Sequence, residues 1–165
     1  GFPHGVFEVM LTPAEPTRSG ADLVEFAFAP NPGENMRSLA EIASSGEISR
    51  VMLATKSILA QHDRIPVLVF DEIDANVGGE MGNAIGKRLR SIAAHHQVLC
   101  ITHLPQVAVS GSNHFVVTKK VAAGRTRTAI EQVEKEARVE EIARMLGGRE
   151  SSSVVLRHAR EMLEG

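Results

Sequence analysis

IPVLVFDEID, residues 65–74, joins an apolar run to a cluster of acids. Five of its first six residues are apolar, and three acids fall within its last four. A carboxylate is costly to bury without partners. A strand running from Val67 to Phe70 through a core therefore has to surface at Asp71. Downstream, residues 80–95 place Met81, Ile85, Leu89, Ile92 and Ala93 at helical spacing, and Gln97 to Thr102 reads as a second apolar strand. Strand, helix, strand predicts a parallel pair with a covering helix. Continuous apolar runs are what parallel strands buried on both faces carry.

The flanking regions read differently. Val6 to Thr12 and Asp22 to Ala29 alternate in part, and the turn-rich link PAEPTRSGA predicts an antiparallel pair. PNPGEN, residues 30–35, breaks the chain. From Gly46 to Gln61 the spacing turns helical, with Ile48, Val51, Met52, Ile58 and Leu59 on one face. Leu104 to Val109 is a short helix or turn. Phe115 to Lys119 and Arg127 to Val133 form a strand pair around AAGR, and helices at 137–146 and 153–163 flank Gly147-Gly148. The expected fold class is α/β: one domain over residues 1–165, a mainly parallel sheet core with helices, and flanking antiparallel strands.

Composition narrows the function. At 165 residues, 43% hydrophobic and 23% charged, the chain is ordinary globular material. A net charge of -2 argues against a strong nucleic-acid grip by this segment. With no Trp, no Tyr and six Phe, a base-stacking platform is not expected. The one cysteine, Cys100, sits in the apolar run QVLCIT and reads as a small core residue, which fits a reducing, cytosolic setting. No apolar run approaches a membrane span, and no signal peptide is visible. Lys119, Lys120, Arg125 and Arg127 flank the terminal hairpin turn and read as solvated charge that blocks edge pairing.

In open α/β sheets, ligands sit beyond the carboxyl ends of the strands. One strand ends in Asp71-Glu72 and the other in Thr102-His103, at the same edge. An apolar strand followed by Asp-Glu is the Walker B pattern. The first acid suits Mg²⁺, which prefers hard oxygen ligands and keeps its waters. The second is placed to orient or deprotonate a water. Exposed loop acids after a core strand have the same look, and these residues alone leave both readings open. SSGE, residues 44–47, runs directly into a helix. Helix N-termini offer free N–H groups to phosphate, while Ser44 or Ser45 also reads as an ordinary cap with Glu47 completing the first turn. A glycine at 46 allows a backbone to approach a ligand closely.

Together these pieces resemble the ABC-type ATPases, in the branch similar to the structural-maintenance-of-chromosomes (SMC) proteins, and within it the C-terminal portion of the bacterial DNA-repair members. ASSGEISRVMLATKSILA resembles the signature segment, VLVFDEIDANVGG the Walker B and D-loop, and VLCITHLPQVAVSGSNHFVVTK the His-loop strand and the segment beyond it; EEIARMLGG, HAREML, PHGVFEV and VEFAFAPNPGE fit too. The resemblance implies a lobe of an ATP-hydrolysing head in double-strand-break repair and recombination, using ATP and Mg²⁺. It implies that Asp71 helps hold Mg²⁺, Glu72 is the catalytic base and His103 contacts the γ-phosphate. Ser44, Ser45, Gly46 and Glu47 would complete the nucleotide site of a second protomer, and Asp74, Ala75 and Asn76 would lie in a D-loop at the dimer face. The implied partners are an N-terminal P-loop lobe, a second copy across two sandwiched nucleotides, and DNA through the full-length protein, with no membrane. The implied location is the cytoplasm, at the nucleoid during repair.

Two departures qualify that resemblance. The family usually carries Gly where this chain has Ser45. The chain also holds no GxxxxGK[ST] loop. The nearest run, GNAIGKR at 82–88, is one residue short between its glycines, has Arg88 where the hydroxyl belongs, and falls inside a helical pattern. Lys87, Arg88 and Arg90 read as helix surface. The P-loop lobe and its coiled coil are therefore expected elsewhere, and this chain as the C-terminal lobe of a split head. The alternatives are a different ABC ATPase, such as a transporter's, or a non-catalytic module that dimerises through the signature face.

Overall fold

The computed structural model describes residues 4–42, 44–60, 62, 64–122, 125–147 and 152–165. The expected helix end at Gln61, Ala43 of the signature stretch, Ala123-Gly124 of the hairpin turn and Gly148 lie outside the described residues.

A tight hairpin joins β1 (Val6–Thr17) to β2 (Gly20–Ala29), longer than the alternation predicted. PAEPT continues β1 because β1 is an edge strand, where a proline need not cost a ladder bond. The register shifts between Pro13 and Thr17. β3 (Arg37–Ser38) adds to β2 and leads through a 3₁₀ turn, Leu39–Glu41, toward α1 (Ser45–Leu59). Then come β4 (Val67–Phe70), α2 (Gly79–Ile92), β5 (Gln97–Cys100) and α3 (Pro105–Ala108). β6 (His114–Ala122) and β7 (Arg125–Val133) form an antiparallel hairpin, and α4 (Lys135–Gly147) and α5 (Ser153–Glu164) come after it.

The α/β class holds, but the parallel sheet is smaller than expected. Among the described residues only β4 and β5 pair in parallel, in register from Val67↔Gln97 to Phe70↔Cys100. β1, β2 and β3, like β6 and β7, are sequence neighbours, and they pair antiparallel. Among the described residues the parallel pair is also covered on one face only. Leu68 and Phe70 turn inward to Leu53 of α1, Ile85, Leu89 and Ile92 of α2, and Val107 of α3. Val69 is 63% exposed and Ile101 61%, on the face expected to be buried. α1 is split in the same way. Val51 packs on Phe28 and Ile42, and Leu53 joins the central core, but Met52, Ile58 and Leu59 of the expected apolar face stand in solvent.

The glycines of GNAIGKR are explained by packing. A Cβ at Gly86 would lie 2.2 Å from Ser110 Oγ, and one at Gly82 would lie 3.1 Å from Gln106 Cβ. They let α3 and its exit pass against α2, while Lys87 and Arg88 are exposed as expected. Arg90 is held more firmly than surface charge, reaching Ser110 O at 3.3 Å. His96 lies beyond α2, which stops at Ile92. Its ring is buried, with Nδ1 2.7 Å from Ile65 O and Nε2 3.1 Å from Ala60 O. It ties the exit of α1 to the entry of β4.

Candidate functional site at the strand ends

β4 delivers Asp71 and Glu72 to the surface, and both are exposed. The chain then turns sharply, with Glu72 at φ +55° and Asn76 at φ +58°. Side chains in this left-handed region cost about 1–2 kcal/mol each, so something nearby must hold the turn. The first turns of α1 do so. Ser49 Oγ donates to Asp71 O at 2.9 Å, and Arg50 Nη1 donates to Ala75 O at 3.1 Å and Ile73 O at 3.4 Å. Ser45 Oγ donates to the Glu72 carboxylate. Burial lowers the Arg50 guanidinium from its ordinary value, and Glu47 opposes that.

Gly46 has a physical reason that differs from the sequence reading. A Cβ there would meet Ala75 Cβ and Arg50 Nη1 at 3.0 Å and Glu72 O at 3.1 Å. The close approach it permits is to the chain's own 72–75 turn. Ser44 is the N-cap, its Oγ accepting from Glu47 N at 3.4 Å.

Asp74 departs furthest from expectation. A place at a dimer face would leave it open, but the residue is 1% exposed and its carboxylate points inward. Asp74 Oδ2 accepts from Thr102 Oγ1, from His103 N at 2.9 Å and from Leu104 N at 3.1 Å. Thus one carboxylate from the β4 side organises the turn after β5. Burial pushes its pKa up, but the Thr102 hydroxyl and the backbone N–H groups of His103, Asp74 and Leu104 outweigh burial and leave it below 3.8. The same oxygen lies 3.2 Å from His103 Nδ1, on a ring that is 71% exposed. A carboxylate there fixes the hydrogen on Nδ1 and orients the imidazole. Of the other two residues expected at that face, Ala75 is packed on α1 and Asn76 is exposed.

The site has hard oxygen donors suited to Mg²⁺, but it does not gather a cage. Among the described residues no group of three His, Cys, Asp or Glu is placed to hold a metal. Asp71 alone matches the way Mg²⁺ is usually held, by one or two carboxylates with the remaining positions filled by phosphate and water. Cys100 lies beneath the acids, and burial, with Asp74 and Asp71 adding to it, pushes its thiol up to about 12. It is an inert core residue, as its sequence context implies.

No family model matches the chain. Curated relatives match most of it. The DNA repair protein RecN of Halalkalibacterium halodurans is 44% identical over 146 residues, 88% of this chain and 26% of that protein. RecN of Bacillus subtilis is 42% identical over 152 residues, and RecN of Deinococcus radiodurans 43% over 166 residues, all of this chain. The chain belongs to the RecN family. It spans roughly a quarter of the length of these RecN relatives, at 26%, 26% and 29%. Among solved structures, the Smc head domain with a coiled coil and joint from Pyrococcus yayanosii matches 99% of the chain with a TM-score of 0.56 at 20% identity. A chain from a study of ATP-driven dimerization of SMC ATPases matches 90%, with a TM-score of 0.51 at 16% identity. At those identities the likeness establishes the fold, that of an SMC head domain.

Sequence reasoning misses three parts of this site. Ser49 and Arg50 lie on the expected helix, three and four residues beyond Gly46, where they share a face with it. Thr102 and Asp74 are each visible at a strand end, but their mutual bond is not. Pairing across 28 residues leaves no trace in local spacing.

Proposed function

We propose that this chain is the C-terminal lobe of the ATP-binding and ATP-hydrolysing head of a RecN-type protein, acting in DNA double-strand-break repair and recombination. The observation that carries the reading is the convergence at one sheet edge. Asp71 and Glu72 leave β4, His103 leaves β5 on the Asp74 brace, and α1 is bonded to the turn between them. In this reading Asp71 would hold Mg²⁺, Glu72 would deprotonate the attacking water, and His103 would meet the γ-phosphate. Ser44, Ser45, Gly46 and Glu47 complete the site of a second protomer. Ala75 and Asn76 carry the D-loop contact, with Asp74 behind them. Hydrolysis needs positioned water, neutralised phosphate charge and excluded solvent, and two closing heads supply all three.

The P-loop comes from an N-terminal lobe. The bare faces support this, since Val69, Ile101, Phe115, Val117 and Ile130 are all more than half exposed. Apolar surface of that extent calls for a covering layer. DNA is engaged by the full-length protein, in the cytoplasm and at the nucleoid during repair. Among the described residues no helix is long and apolar enough to cross a membrane.

The test is Mg-ATP hydrolysis by this chain alone and mixed with a separately produced P-loop lobe. Activity is expected in the mixture only. Glu72→Gln should lower it by about 10²–10⁴-fold, the usual contribution of a general base, and trap a nucleotide-bound dimer. A folded, associating and inactive mixture favours a non-catalytic dimerisation module. Hydrolysis by the chain alone refutes the split head.

A further inference from the structure

Ser45 stands between two functions. In the proposed reading, on which this inference rests, its end of α1 serves the nucleotide of the partner protomer while Glu72 serves the nucleotide of its own. The structure joins the two within one chain, because Ser45 Oγ donates its hydrogen to Glu72 Oε2. A serine hydroxyl has a single hydrogen to donate. A phosphate oxygen and a carboxylate oxygen cannot both take it as a full hydrogen bond. We infer that the Ser45 hydroxyl couples the two nucleotide sites of the dimer: phosphate arriving from the partner's side takes the hydrogen from Glu72 and frees that carboxylate for its own site.

The surroundings favour an exchange of this kind over a wholesale movement. The turn that carries Glu72 is fastened to α1 independently of Ser45. Ser49 holds Asp71 O, Arg50 holds Ile73 O and Ala75 O, and Ala75 N donates to Glu72 O at 3.0 Å. The helix cap is independent as well, since it belongs to Ser44. Losing the Ser45 hydroxyl therefore frees only the Glu72 side chain, and the backbone stays where it is. Ser45 and Glu72 are joined by a bond at the exposed edge, so it faces the solvent from which a partner arrives. Ser45 is thus a positioning residue: it acts on catalysis through Glu72.

The experiment uses the full-length protein that carries this segment, together with Ser45→Ala and Ser45→Thr. The rate of ATP hydrolysis is measured against ATP concentration and fitted for kcat, half-saturation and Hill coefficient. Dimerisation with ATP and the thermal midpoint are monitored in parallel. The wild type is expected to hydrolyse ATP with a Hill coefficient above 1. Ser45→Ala should bring it to about 1, the signature of uncoupled sites, with an unchanged thermal midpoint, and Ser45→Thr should restore it by returning the hydroxyl. A purely structural serine would shift the midpoint and leave the Hill coefficient alone. Equal cooperativity in the wild type and Ser45→Ala overturns the inference, as does a non-cooperative but active wild type. A wild type that neither dimerises with ATP nor hydrolyses it overturns the split-head reading itself, and the inference with it.

Discussion

Replacing Asp74 by Ala removes the acceptor on which the turn after β5 is built. Four groups lose it: the Thr102 hydroxyl, the His103 N–H at 2.9 Å, the Leu104 N–H at 3.1 Å and the His103 ring at 3.2 Å. They do not suffer equally. Thr102 has a second acceptor, Leu104 O at 3.5 Å, the Leu104 N–H has one in Thr102 Oγ1 at 3.0 Å, and the exposed His103 ring finds water. The loss therefore falls on the part-buried His103 amide. An unsatisfied buried donor costs about 1–3 kcal/mol. Hydrogen exchange at the His103 amide should quicken about thirtyfold, the equivalent of about 2 kcal/mol. The urea midpoint should fall by about 0.5–1.5 M at a slope of about 2 kcal/mol per M. The pH dependence has a definite sign. The Asp74 value is lowered from 3.8 in the folded chain, so its stabilisation is complete above that value and is lost as pH falls through the folded one. The gap between wild type and Asp74→Ala should thus close in acid. Asp74→Asn, which keeps a carbonyl acceptor, should lose less. Amide exchange at His103 within about threefold of wild type at pH 7 would refute the reasoning.

Two further substitution and reactivity tests probe the scaffold. Gly86→Ala drives a methyl into Ser110, 2.2 Å away, and should cost about 1–3 kcal/mol by overpacking; a urea midpoint equal to wild type would show that α3 yields freely. Cys100, pushed up to about 12 from a reference of 9.0, should react with iodoacetamide at pH 8 on the order of a hundred to a thousand times more slowly than a free thiol, and alkylation at the free-thiol rate would contradict its burial.

Legibility in the sequence depends on distance along the chain. The β4–α2–β5 unit announces itself, because Leu68 and Phe70 lie on one short run and Ile85, Leu89 and Ile92 recur at helical spacing. The strand-end acids and His103 are equally plain, since each terminates an apolar run. The direction of the Asp74 side chain is hidden: its partners are 28 to 30 residues away, and an inward acid has the same spelling as an outward one. Gly46 is ambiguous for a related reason. Composition marks a close approach without saying what approaches. The bare faces are illegible too, because an apolar strand looks alike whether its second layer belongs to the same lobe or to another.

His96 gives the candidate site a mechanical property. Its ring fastens the exit of α1 to the entry of β4 at one end, and Ser49 and Arg50 fasten the start of α1 to the turn after β4 at the other. Helix and strand are thus bolted together at both extremities, like the two long members of a truss. A helix of 15 residues is about 22 Å long, and the frame carries a load over that span as a strut does. Ser44 at the start of α1 and Asp71 at the end of β4 therefore belong to one braced unit.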